Sequence, residues 1–272
     1  TVVFPPAITK PPQNYTVAAG TSVTLGVLAS GTAPLSYQWQ NSLGPIAGAT
    51  DASYILDPVQ TNHSDSYFAV VSNPYGAVTS AVATLFVYVP VSIIVQPAHQ
   101  VVPARATASF SVVAAGYPAP AYQWALNGSD VWGATSSALT ISNVMVSDLG
   151  DYTVLVGNGY SSQRSEAATL SMSPSITAPF SGVTAIWGRS ATLSVAAIGT
   201  GELWYQWFKD GVPIVSGTNQ TYELPVVGLE DGGYYSVVVS SLLGSVTNSA
   251  QVVVNPAGTD LGMFAGITIT GA

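Results

Sequence analysis

Residues 122–124 read Tyr-Gln-Trp and residues 148–154 read Asp-Leu-Gly-Asp-Tyr-Thr-Val, and both stretches have counterparts elsewhere in the chain. Tyr-Gln-Trp returns at 37–39 and 205–207, and Asp-x-Gly-x-Tyr-x-Val returns at 231–237. Around them four columns keep step: Val27, Trp39, Tyr67, Ala69; Val112, Trp124, Tyr152, Val154; and Val195, Trp207, Tyr235, Val237. The interval from valine to tryptophan is identical in all three sets, as is the longer one from tryptophan to tyrosine, and the tryptophans recur at 39, 124 and 207. A period this long, filled with short alternating segments and Gly and Pro punctuation, describes a series of whole domains rather than a solenoid of small repeats.

Within the first set, residues 22–29, 35–40, 53–56, 67–72 and 77–87 read as strands separated by turn residues, the spacing of an all-β sandwich. The motifs resemble the immunoglobulin-like fold, in an I-set-like form without disulfides. In that family the tryptophan packs against a disulfide between two facing strands, and the tyrosine forms a corner just before the second cysteine. Here both cysteine positions are apolar, as Val27 with Ala69, Val112 with Val154 and Val195 with Val237. The resemblance implies a core of Val27, Trp39 and Tyr67, of Val112, Trp124 and Tyr152, and of Val195, Trp207 and Tyr235. The first set departs from the motif at the corner, with His63 and Asp65 where the others have Asp and Gly.

The reading is therefore an all-β chain of three tandem immunoglobulin-like sandwiches in an extended rod. The domains cover 1–89, 90–172 and 173–255, with a strand-forming tail over 256–272. Each domain opens on Ile-x-x-Pro, at Ile8, Ile94 and Ile176, and a proline at each seam restrains the backbone there. In the tail, Leu261, Met263, Ile267 and Ile269 share one parity and Phe264 breaks it, so a strand with one buried face is expected. A lone strand is unstable in water, so the tail should add to a sheet, most naturally that of a neighbouring subunit. Residues 1–4, ahead of Pro5 and Pro6, pose the same problem in a shorter form.

Composition narrows the partners. Only 7% of the 272 residues are charged, the net charge is −8 and cysteine is absent, against roughly 25% charged residues in ordinary soluble domains. Five Lys and Arg spread over three domains cannot form a basic face, so nucleic acid is not an expected partner. The apolar runs are strand-length, so no membrane span is expected. A sandwich family that usually carries a disulfide, met here without one, suggests a bacterial secreted lineage. No leader is visible at Thr1, so the chain reads as a mature product or a segment of something longer. Sequons occur at Asn14, Asn62, Asn127 and Asn219.

Catalysis needs convergent titratable groups, and the two histidines match no triad or ligand pattern. His63 is expected in the turn before Tyr67 and His99 in the first strand of the second domain. Asp148 and Asp231 read as corner residues. No catalytic, metal or cofactor site is expected.

The aromatic residues outside the core are more informative. Alternation through Trp207 and Tyr235 sends Trp204, Gln206 and Phe208, and Tyr234, Ser236 and Val238, to the outer face of the third domain. The earlier domains place Ser36, Gln38, Gln40 and Ala121, Gln123, Ala125 at the first three of these positions. The cluster of Trp204, Phe208, Tyr234 and Val238 reads as a protein interface, a sugar-stacking platform or a cover for another part of the chain. Trp187, beside Gly188 in a hairpin turn, is a further interface candidate, whereas Trp132 stands alone. Low charge and orphan end strands together point to an extracellular or cell-surface, self-associating structural or adhesive protein, a subunit of a fibre or sheath. The alternative is a module binding carbohydrate or protein on the stalk of a larger secreted protein.

Overall fold

The computed structural model describes residues 2–256, so the expected tail strand lies outside the described residues. Within them, regular structure is all strand apart from three 3-10 turns, Thr61–His63, Val146–Asp148 and Leu229–Asp231. Three hydrophobic clusters follow one another along the chain, centred on Trp39, Trp124 and Trp207, each fully buried. Around them lie tandem β-sandwiches built to one plan.

The plan is clearest in the third sandwich. One sheet takes the order Val183–Ile186, Gly244–Asn255, Gly233–Ser241, Trp204–Lys209, Val212–Pro213, with the first pair parallel and the rest antiparallel. Facing it, Ala191–Ser194 pairs with Thr221–Leu224, and Ser175–Ala178 with Ala196–Ile198. Period-two alternation explains why these segments are strands. In Val23–Gly26 the valine and leucine are buried while Thr24 and Gly26 are exposed, so one face of the strand supplies core and the other meets water.

Apolar contact occupies the place of the staple. Val27 and Ala69, Val112 and Val154, and Val195 and Val237 are all buried. Each indole N–H, which would be costly to bury unpaired, donates to a backbone carbonyl further along the chain: Asp51 at 3.0 Å, Ser136 at 2.9 Å and Asn219 at 2.9 Å. A fifth buried column, Val59, Val144 and Val227, keeps the same step as the tryptophans.

Several segments differ from the sequence reading. The strand expected over 22–29 breaks at Val27 into Val23–Gly26 and Leu28–Ser30. The one expected over 77–87 divides into Gly76–Thr79 and a strand beginning at Ala83. At that division Ser80 is buried, and its hydroxyl accepts from the Ala69 N–H at 3.0 Å; Ser165 does the same for Val154. The third sandwich has Asn248 at this position, and its hairpin pairs without a break from Gly233 opposite Val252 to Ser241 opposite Gly244. The seam between the first two sandwiches carries no break at all. Ala83–Val95 is a single strand. Its first half pairs with Asp65–Asn73 and its second with Val113–Tyr117.

Candidate interaction surface

The unbroken hairpin of the third sandwich fixes its outer face. Trp204 lies opposite Ser240, Gln206 opposite Val238 and Phe208 opposite Ser236, with Tyr234 two residues further along the same face. Trp204 is 44% exposed and Tyr234 65%, whereas Phe208 and Val238 are partly covered. From the level of Trp204 to that of Tyr234 is six residues of strand, about 20 Å at ~3.3 Å per residue. The adjoining strand adds Ser245, Thr247, Ser249 and Gln251 opposite Ser240, Val238, Ser236 and Tyr234. The face is thus an aromatic stripe beside a hydroxyl-rich one. At the Tyr234 end, Asp210 accepts from the Tyr234 N–H at 2.8 Å and from Lys209 Nζ at 3.0 Å. The backbone hydrogen bond from Tyr234, followed by Lys209, holds this carboxyl below its ordinary range.

Trp187 does not join this stripe. Its N–H donates to Asn255 at 2.9 Å, at the far end of the strand whose other end lies level with Trp204. It is 50% exposed and forms a separate spot. Leu261, Met263, Phe264, Ile267 and Ile269 lie outside the described residues. Trp132 is almost wholly exposed on a turn of the second sandwich. One placement on the second sandwich is corrected: Ala125, expected on the open outer face, is buried. Its neighbour Thr153 accepts from Arg164 Nη1 at 3.2 Å, which lays the long arginine side chain across this level of the sheet.

The glutamine of each Tyr-Gln-Trp is not a free outer residue. Gln38, Gln123 and Gln206 each donate twice through Nε2, to the carbonyl of the adjoining tryptophan at 2.9 Å and to that of Ile46, Val131 or Ile214 at 2.8 Å. They brace the short edge strands. The repetition of glutamine in the motif was the available signal.

Both histidines hold backbone. Gln60 N–H donates to His63 Nδ1 at 3.0 Å, as Met145 N–H donates to Asp148 and Gly228 N–H to Asp231. The imidazole therefore performs the aspartate's task, and the first corner is intact: Tyr67 Oη donates to the His63 carbonyl at 2.9 Å, as Tyr152 Oη does to Asp148 at 2.7 Å. Tyr235 Oη has no hydrogen-bond partner among the described residues. His99 lies in the connection before Gln100–Val102 rather than in a strand. Its Nδ1 accepts from Thr169 N–H at 2.9 Å, where Asn14 Oδ1 accepts from Thr84 in the first sandwich. Burial pushes the hydroxyls of Tyr67, Tyr152 and Tyr235 up to about 12. No group of three or more His, Cys, Asp or Glu suited to a metal occurs among the described residues, and no helix there is long and apolar enough to cross a membrane.

The pairing order, the tryptophan core and the tyrosine corners define a tandem array of immunoglobulin-like sandwiches. The chain belongs to the immunoglobulin domain family, whose sequence profile matches residues 90–158 and 173–241. It is similar to human leucine-rich repeats and immunoglobulin-like domains protein 2, 26% identical over 277 residues that cover 88% of this chain and 26% of that protein. It is also similar to protein sax-3 of Caenorhabditis elegans, 27% identical with 92% of this chain and 22% of that protein covered. A bacterial relative, endoglucanase C of Cellulomonas fimi, is 29% identical across 61% of this chain and 16% of its own length. The chain spans about a quarter or less of each of these relatives. Among solved structures, an I-band fragment from titin superposes with a TM-score of 0.62 at 21% identity, covering 92% of this chain and 99% of that fragment.

Proposed function

We propose that this chain is a non-enzymatic, adhesive or structural segment of an extracellular or cell-surface protein, and that it associates with a second copy through the outer face of its third sandwich. The observation that carries the reading is the stripe of Trp204, Phe208, Tyr234 and Val238, where the first sandwich has Ser36, Gln38 and Gln40 at the positions of Trp204, Gln206 and Phe208. Exposed Trp and Tyr backed by a regular sheet are the residue types that anchor protein interfaces, because each removes a large rigid area from water at small entropic cost. Low charge leaves little repulsion to oppose contact between copies. In this reading the domains 1–89, 90–172 and 173–255 form the rod, and association yields a fibre or sheath. Sedimentation velocity tests it: the parent should associate with rising concentration, and Trp204→Ser with Tyr234→Ser should stay monomeric with unchanged melting. A parent that remains monomeric throughout removes the reading.

The match to part of an endoglucanase favours a second reading, in which the array is the stalk or binding module of a longer secreted protein. The same stripe would then meet a polysaccharide or another protein. Binding of insoluble cellulose by the parent, lost in Trp204→Ser, would decide for it.

A further inference from the structure

We infer that residues 2–4 are the closing residues of the last strand of another immunoglobulin-like domain, and that the pole of the first sandwich around Thr32, Asn73 and Tyr75 is a seam built to receive that domain. The inference rests on a clamp that recurs along the chain. Where the second sandwich begins, Val89 pairs with Tyr117, and Asn158 Nδ2 donates to the carbonyls of Val89 at 2.9 Å and Tyr117 at 3.1 Å. Where the third begins, Thr200 N–H donates to the Met172 carbonyl at 2.8 Å and Thr200 Oγ1 accepts from Met172 N–H at 2.8 Å. In both cases the gripped residue lies at the end of the stretch that closes the preceding sandwich. The first sandwich makes the same grip on Phe4. Thr32 Oγ1 accepts from Phe4 N–H at 2.8 Å, Thr32 N–H donates to the Phe4 carbonyl at 3.0 Å, and Asn73 Nδ2 donates to the carbonyls of Phe4 and Thr32 at 2.9 Å each. Thr32, Tyr117 and Thr200 follow one another at the same two intervals as Phe4, Val89 and Met172, which are also those of the three core tryptophans.

An independent sign lies in the letters themselves. Residues 1–11, TVVFPPAITKP, align without gaps on residues 169–179, TLSMSPSITAP, with Thr, Pro, Ile, Thr and Pro in common. In the second copy the first four residues belong to a core strand, with Leu170 1% and Met172 0% exposed. Their counterparts Val2 and Phe4 are 77% and 60% exposed. Two apolar side chains at the positions of buried strand residues, beside a Phe4 backbone held by Thr32 and Asn73 and with no core beneath them, are what remains when the sandwich they close is not in view. Tyr75 completes the set. Its counterpart Tyr160 packs against Phe86 and Tyr88 of the incoming strand with ring centroids 5.1 Å apart in each pair, whereas Tyr75 is half exposed and has no aromatic partner among the described residues.

The spacing makes the inference sharp. Trp124 stands 48 positions before Met172 and Trp39 stands 50 before Val89; Tyr152 and Tyr67 precede them by 20 and 22. Mass-spectrometric sequencing of the native polypeptide should therefore find residues continuing upstream of Thr1, with a tryptophan 48–50 and a tyrosine 20–22 positions before Phe4. Thr1 as the native terminus, or upstream sequence without that tryptophan, overturns it. Stability supplies a second reading. Phe4→Asp should leave the melting of the 272-residue chain unchanged and should lower one transition of the native-length protein by about 10 °C or more, because there it puts a charge into a core. No shift in the native-length protein overturns the inference.

Discussion

Tyr160, on the turn that ends strand Gly150–Gly157 in the second sandwich, stacks on Tyr88 of the strand leaving the first, with ring centroids 5.1 Å apart and planes 15° from parallel. Phe86 lies 5.1 Å from the same ring and 6.2 Å from Tyr117. Aromatic pairs contribute about 0.5–1.5 kcal/mol each beyond the area they bury, so three of them, added to a strand common to both sandwiches, hold one orientation. Among the described residues no aromatic pair spans the seam between the second and third sandwiches, where Thr200 exchanges hydrogen bonds with the Met172 backbone and Ser175 Oγ accepts from the Ala104 N–H.

Tyr160→Ala should accordingly loosen the first seam without unfolding either neighbour. Distances between spin labels on the first and second sandwiches should broaden, and the loss of two of the three pairs, about 1–3 kcal/mol, should lower the melting of the adjoining sandwiches by several degrees while both still fold. An unchanged distance distribution would show that the strand alone sets the angle.

Trp124→Ala removes the fully buried centre of the second core together with its hydrogen bond to Ser136. It should cost about 3–5 kcal/mol, seen in urea unfolding as early loss of one domain. A parent-like transition would contradict the packing described.

The three corner tyrosines are expected to differ. Tyr67→Phe and Tyr152→Phe each delete a hydroxyl that donates to a carbonyl, a change worth roughly 1 kcal/mol. Tyr235→Phe deletes one that no described residue accepts from, and it should be neutral or slightly stabilising. Chemical denaturation of the three variants in parallel would show whether the order holds.

His63 can be tested by restoring the motif. His63→Asp supplies a carboxylate oxygen where Nδ1 accepts and should keep the first domain's stability, whereas His63→Ala leaves the Gln60 N–H without that acceptor and should cost about 1 kcal/mol. Thermal unfolding that ranks alanine level with aspartate would remove the acceptor role.

Alkaline pH is the predicted weak side. Tyr67, Tyr152 and Tyr235 have hydroxyls raised to about 12 by burial, from an ordinary value near 10. A folded-state value above the unfolded one means that the contribution to stability is whole below pH ~10 and is lost as pH rises through ~12. Unfolding free energy should therefore fall between those limits, with absorbance at the tyrosinate band rising together with loss of structure.

Much of this architecture was legible because it depends on period. Val27, Trp39 and Tyr67 and their repeats must meet in one core, and the immunoglobulin-like sandwich is the fold that sets a valine, a tryptophan and a tyrosine at these two intervals with turns between. The outer stripe of Trp204 and Tyr234 followed from alternation alone. Side-chain hydrogen bonds were less legible, since they depend on direction: nothing in the letters said that Gln206 turns along the edge to Ile214, or that imidazole nitrogen could stand in for a carboxylate at His63. Interruptions were hardest. Ser80 and Ser165 mark breaks that a run of strand-forming residues conceals, and alternation alone did not mark Ala125 as buried beside the Thr153 that accepts from Arg164.

The single strand Ala83–Val95 belongs to two sandwiches at once, and this subjects the array to a rule of phase. Successive side chains on a strand point to opposite sides, and the pairing with Val113–Tyr117 already shifts register between Val89 and Ser92, so adding or removing a residue there would reset the facing of the second sandwich against the first. At the second seam, where one strand ends at Met172 and the next begins at Ser175, no such constraint applies, so the rotational setting of the second sandwich is tied to chain length as that of the third is not.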